Sequence, residues 1–144
     1  MKIFIAGIMQ GSIKGKGIQE QDYRELIRDA VKINHPEAEV IDPFSLFPDS
    51  VEYGIQQSKK VLFDMGDEAG SSDIVIAYLP EASLGTALEM IRAYDNGKTV
   101  ICISPMDKNW FIQAVSKKVF PSLNGFLSWV SQTQLGELIN SPAE

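Results

Sequence analysis

The sequence predicts a single α/β domain built on a doubly wound, parallel five-stranded sheet in the order 2-1-3-4-5. Three observations predict it. Short runs rich in Ile and Val ("KIFIA", "IVIAY", "TVICI") recur along the chain, and longer segments with apolar residues at helical spacing fall between them, so strands and helices alternate. These runs are apolar at nearly every position rather than at every second one, as in strands covered on both faces. At 144 residues the chain fits one domain with a sizeable core, and right-handed crossovers leave 2-1-3-4-5 as the simplest strand order.

Lys2 to Ala6 forms the first strand in this reading, and a glycine-rich loop, "GIMQGSIKGKG", follows it. From Ile18 to Ile33 the residues Tyr23, Leu26, Ile27, Ala30 and Val31 make an apolar stripe opposite Glu25, Arg28, Asp29 and Lys32, which predicts the first helix. "HPEAEVIDP" returns through a short strand that ends near Ile41 and is stopped by Pro43. Val51 to Ala69, carrying Tyr53, Ile55, Val61 and Leu62, predicts a second helix. "SDIVIAYLP" is the third strand, and "TALEMIRAYDNGK" a helix that stops at Asn96-Gly97, a pair suited to a left-handed cap. "TVICIS" is the fourth strand. The remainder predicts a helix, a short strand around Val119, and a closing helix with Ser122 as its N-cap.

Thirteen basic residues against nineteen acidic ones give a net charge of -6, which opposes an extended nucleic-acid-binding face but leaves room for a small phosphorylated ligand. Cys102 is the single cysteine, so no intrachain disulfide or cysteine-rich zinc site is expected, and the setting is expected to be reducing and cytoplasmic. "MKIFIAGIM" is too short to span a membrane and has no cleavage pattern behind it, so neither membrane association nor targeting is expected.

In a doubly wound sheet, ligands bind outside the carboxyl ends of the strands where the order reverses, here between strands one and three. Two loops flank that point, 7–17 and 79–86. Ser83, Gly85 and Thr86 begin the helix after strand three, where free N–H groups and the helix dipole favour an anion. Glu89 has two readings. Thr86-x-x-Glu89 is a capping-box pattern, and a carboxylate near a helix start also stays ionised and able to attack an electrophilic carbon such as that of a sugar. Glycosidic displacement also calls for a second acid, for which Asp64, Asp67 and Asp73 are candidates; Asp73 belongs at the far end of its strand.

The first loop offers Gly7, Gln10 and Ser12 to a sugar or phosphate, without the spacing of a P-loop or a dinucleotide fingerprint. Nothing in the pattern calls for a cofactor or a metal. His35 reads as structural. The aromatics, Trp110 among them, read as core, with Phe44 or Phe47 placed to cover a base.

"KIFIAG", "SDIVIAYLPEASLGTALEM" and "AYDNGKTVICIS" together resemble the nucleoside 2-deoxyribosyltransferase family, which includes the 2'-deoxynucleoside 5'-phosphate N-hydrolases. The resemblance covers most of the chain in layout, and its specific part is Ala82 to Glu89 together with the strand entry at Gly97-Lys98. It implies a flavodoxin-like fold, a homo-oligomer, and cleavage of the N-glycosidic bond of a nucleoside or nucleotide without a cofactor. Through the motif S-x-G-x-x-x-E it implies Glu89 as nucleophile and Ser83, supported by Gly85, as phosphate binder. The family's helix-two aspartate falls nearest Asp64, one residue out of register, with Asp67 as the other choice. Where the hydrolases carry serine after the first-strand glycine, this chain has Ile8. The competing reading is a non-catalytic nucleotide-binding module on the same fold.

Overall fold

The computed structural model describes residues 1–11 and 13–140, with the backbone alone at Asn140. Its five strands, β1 (Lys2–Gly7), β2 (Glu39–Ile41), β3 (Ile74–Tyr78), β4 (Thr99–Ile103) and β5 (Lys118–Phe120), form one parallel sheet in the order β2-β1-β3-β4-β5. Helices α1 (Tyr23–Asn34) and α6 (Leu123–Val130) cover one face; α3 (Ile55–Ser71), α4 (Leu84–Asp95) and α5 (Trp110–Val115) cover the other. Short helices α2 (Pro43–Leu46) and α7 (Gly136–Asn140) complete the chain. This is the flavodoxin-like α/β arrangement that the sequence predicts.

Strand alternation explains why both layers are filled. Ile3, Ile5, Ile74, Ile76, Ile101 and Ile103 point toward α1 and α6, whereas Phe4, Ala6, Val75, Ala77, Val100 and Cys102 point toward α3 and α4. Burying each isoleucine contributes about 1.5–3 kcal/mol, so the large β-branched side chains make the first layer a strong clamp on the sheet. On the second layer the buried residues of α3 are Gly66, Ala69 and Gly70, which let α3 and α4 lie close together. At Gly70 an added Cβ would come within 2.6 Å of Asn96 Nδ2, and that amide donates to the Gly70 carbonyl at 3.1 Å.

Caps set several helix limits as expected. Gly97 adopts φ +66° beyond the end of α4, and Ser122 accepts from Gly125 N–H at the start of α6. At the amino ends of the strands, Asp73 accepts from Lys2 N–H at 2.8 Å, so this carboxylate ties β1 to β3 on the side away from the crevice.

Four expectations are corrected. The first helix begins at Tyr23 rather than Ile18, because Gln21 turns its amide onto the Ile8 and Gln19 carbonyls and holds the preceding residues as a loop. On that helix Leu26 is 49% exposed while Arg24 takes an inner position beside Ile27 and Val31. The second long helix is interrupted: a 3-10 turn at Ser50–Glu52 precedes α3, whose N-cap is Gly54. Trp110 is 87% exposed rather than in the core.

No helix among the described residues is long and apolar enough to cross a membrane. His35, at the end of α1, receives the Leu135 N–H on Nε2 at 3.2 Å and so fastens the segment after α6 to the first layer. Replacing His35 with Ala leaves that buried N–H without its acceptor. The substitution is expected to cost about 1–3 kcal/mol in a urea denaturation series, and an unchanged midpoint would contradict this role.

Candidate active site

The chain leaves β1 toward α1 on one face and leaves β3 toward α4 on the other, so the carboxyl ends of these neighbours diverge. A cavity of about 330 Å³ opens there, within the range of roughly 300–1,000 Å³ usual for small-molecule sites. Gly7, Met9, Gln10 and Gly11 form the wall after β1; Pro43, Phe47, Ser50 and Tyr53 form the wall after β2. Helix α3 contributes Ser58, Val61, Leu62 and Met65, a stripe at helical spacing, and α4 contributes Ser83, Gly85, Thr86 and Glu89.

The start of α4 is built by its own side chains. Ser83 is the N-cap: its Oγ accepts from Thr86 N–H at 3.4 Å and from the Thr86 hydroxyl at 3.0 Å. Thr86 is therefore inside the helix, and the Thr86-x-x-Glu89 capping box does not form. Glu89 lies a turn and a half into α4 and turns its side chain to the cavity, where no hydrogen bond to its carboxyl forms among the described residues.

Glu89 keeps partial contact with the cavity, yet protein surrounds its carboxyl. Desolvation pushes its pKa up from 4.5 to about 8, against a smaller downward pull from the Arg24 guanidinium. The expectation of a carboxylate kept ionised by the helix dipole is thus reversed for the free protein. The dipole acts within the first turn, and Glu89 is beyond it. Burial also raises the Tyr23 hydroxyl, which is packed on the same side.

Gly7, Gln10, Ser83, Gly85, Thr86 and Glu89, all singled out in the sequence, line this one cavity. Ser12 lies outside the described residues. Asp64 does not join the group: α3 turns positions 58, 61, 62 and 65 inward, leaving Lys60 and Asp64 to pair with each other on the exposed flank. Asp67 is exposed as well. Among the described cavity residues Glu89 is the only carboxylate, and no cluster of His, Cys, Asp or Glu could hold a metal ion among the described residues.

Of the aromatics, Phe47 and Tyr53 reach the cavity and Phe44 does not. The two methionines and the serine pair Ser50 and Ser58 carried no motif that would have marked them. Only the fold, by bringing four segments to one sheet end, identifies them. Arg24 did leave a signal, since positions 24, 27 and 31 share one side of α1.

The two glycines serve different ends. A Cβ at Gly7 would come 2.1 Å from the Tyr23 hydroxyl, which donates to the Ile8 carbonyl at 3.0 Å, so glycine is required there by the protein itself. At Gly85 an added Cβ meets nothing within 4 Å, so the protein leaves space there that faces the cavity.

No family model matches the chain, and no curated protein matches it. Solved structures do. The 2-deoxyribosyltransferase of Bacillus psychrosaccharolyticus is similar over 96% of this chain and 96% of its own, with a TM-score of 0.66 and 20% identity. A conserved protein from Enterococcus faecalis V583 matches over 92% of this chain and 98% of its own, at a TM-score of 0.65 and 16% identity. The CMP N-glycosidase of Clostridium botulinum matches over 90% and 97%, at 0.53 and 19%. At these identities the likeness establishes a shared fold.

The glycine contrast makes a paired prediction. Gly7→Ala is expected to lower stability by about 1–3 kcal/mol through overpacking against Tyr23, whereas Gly85→Ala is expected to raise it by about 0.4–1 kcal/mol. Thermal denaturation of the two variants reads both signs, and equal shifts would contradict the assignment.

Proposed function

We propose that the protein cleaves the N-glycosidic bond of a nucleoside or, preferentially, a (deoxy)nucleoside 5'-monophosphate, by hydrolysis or by transfer to a second base. The observation that carries this reading is the Glu89 carboxyl facing a cavity lined both by aromatic and methionine side chains and by the polar start of α4. Phe47, Tyr53, Met9 and Met65 suit the flat face of a base. Ser83 and the first N–H groups of α4 suit a phosphate or another acceptor-rich group. Because Ser83 Oγ already accepts twice from Thr86, its own hydroxyl proton is left to donate. The similarity in fold to a 2-deoxyribosyltransferase and a CMP N-glycosidase supports the same reading.

In this reaction a Glu89 oxygen bonds to C1' as the C1'–N bond breaks, and the base leaves with the bonding pair. Since no second carboxylate lines the described cavity, the departing base takes its proton from solvent rather than from Asp64. Water then attacks C1', its proton is lost to solvent, and the Glu89 carboxylate is released; a second base in place of water gives transfer.

Free base released from deoxynucleoside and nucleoside monophosphates, read by chromatography, tests the proposal; none released at high enzyme would leave only a binding module. Glu89→Gln is expected to abolish release while retaining ligand binding. A nucleophile must be ionised, so kcat/KM is expected to rise with pH through about 8 and level off above it. A neutral Glu89 favours a second reading, in which the carboxyl protonates the leaving base while water attacks, and that reading predicts the opposite limb, falling through the same pH.

The raised pKa also enters stability. Glu89 is harder to ionise folded than unfolded, so its contribution is complete below 4.5 and is lost as pH rises through about 8. Wild type is therefore expected to lose stability relative to Glu89→Gln across that window.

We further propose that the protein works as a homo-oligomer. Leu62 and Leu84 line the cavity mouth yet are 43% and 93% exposed, and Ile55 near them on α3 is 79% exposed, an apolar rim that a second copy would cover. Light scattering is expected to give a mass above one chain, and a monomer at assay concentration would overturn this part.

A further inference from the structure

Arg24 has a role in the site that its absence from the cavity wall conceals. It is 2% exposed, and its guanidinium reaches acceptors on three separate segments. Nη1 donates to the Ile5 carbonyl at 3.2 Å and to Asp42 Oδ1 at 2.9 Å, Nη2 to the Gly7 carbonyl at 2.9 Å, and Nε to Gln21 Oε1 at 2.7 Å. Asp42 is itself a structural corner: as N-cap of α2 it accepts from Phe44 N–H at 3.1 Å and from the Ser45 hydroxyl at 2.8 Å.

Gly7 borders the cavity on one side. Pro43, next to Asp42, and Phe47 beyond it border the cavity on another. One planar cation therefore joins the segment leaving β1 to the segment leaving β2. No ladder reaches that far, since the β1–β2 register ends at Phe4 and Ile41.

Stability alone gives little reason for such a group, because apolar replacement of a buried ion pair is often neutral or stabilising. An apolar side chain could fill the space. It could not hold two carbonyls and a carboxylate at fixed separations, as the rigid guanidinium fork does.

We infer that Arg24 is a positioning residue for the reaction proposed above, fixing the two cavity walls relative to each other and keeping its positive charge within electrostatic reach of Glu89. The inference rests on the reading of Glu89 as the reacting group. The surroundings of Glu89 suit it. Arg24 acts on Glu89 from α1, Glu89 in turn helps to raise the Tyr23 hydroxyl, Asp42 faces Arg24, and the Tyr78 ring packs tilted on Tyr23 with centroids 4.3 Å apart. From α3 come only the uncharged Ser58, Val61, Leu62 and Met65, and from the first loop Met9 and Gln10. Arg24 is thus the cation that lowers the cost of ionising Glu89.

Two variants separate the charge from the fork. Arg24→Met removes both, whereas Arg24→Lys keeps the charge and loses the planar set of donors. Glu89 ionisation is followed by carboxyl 13C NMR in the ligand-free protein, and kcat and KM are measured for base release. The Glu89 midpoint is expected to move up in Arg24→Met and to stay near wild type in Arg24→Lys. Base release is expected to fall by about 10- to 100-fold in both, as misplaced walls demand.

A folded Arg24→Met with an unmoved Glu89 midpoint, or Arg24→Lys with wild-type kcat and KM, would overturn the inference. If Arg24→Met does not fold, Arg24→Lys decides alone: unchanged midpoint with reduced turnover supports the inference, and unchanged turnover overturns it. Should wild type release no base at all, the reaction proposal fails, while the ligand-free titration still reports whether Arg24 acts on Glu89.

Discussion

The structure depends on the parting of two adjacent strands. β1 and β3 are paired from Ile3↔Ile74 to Gly7↔Tyr78, and a parallel sheet buried on both faces gives neither chain anywhere to go except outward over opposite layers. The pairing holds the strand ends together while the crossovers pull the following segments apart. The cavity is the space this leaves. Gly7 ends one of these strands, and the β3–α4 loop that leads to Ser83 begins at the other, so both border the cavity through backbone whose position the sheet already fixes.

Within that frame, the chemistry of Glu89 is a contest between two electrostatic effects of different range. A helix N-terminus favours an anion by about 0.3–1 kcal/mol and only over the first turn, whereas loss of water acts wherever the carboxyl is enclosed. Glu89 sits past the first turn with its carboxyl enclosed by protein, and burial prevails over the pull of Arg24. In the reaction proposed, a carboxyl that burial holds neutral attacks only once its proton has left. Arg24 provides the opposing pull. The same guanidinium that links the walls thereby connects the cavity's shape to the protonation of Glu89.

Much of this was legible locally. Ser122 and Gly97 act within a few residues, through a cap hydrogen bond and a backbone conformation open to glycine, and the strand order followed from apolar runs and crossover handedness. Legibility failed where a local pattern had two outcomes. Ser83 and Thr86 both have N-cap chemistry, and only the observed hydrogen bonds show that Ser83 caps while Thr86 serves the cap from inside. Val51 to Ala69 has helical spacing throughout, yet Gly54 divides it. Leu26, expected on the apolar stripe, is exposed while Arg24 is buried, because a charged group with enough buried acceptors can occupy a position that hydrophobicity would give to leucine.

By itself the sequence determined the five strands, their order and the sheet end at which the cavity opens, since these follow from periodicity and the handedness of parallel crossovers. Tertiary structure alone decided which side chains share the cavity, that Asp64 turns to Lys60 rather than inward, and that Glu89 is held neutral. Each of those outcomes depends on distances between segments far apart in the chain, and desolvation in particular belongs to no residue until the others have closed around it.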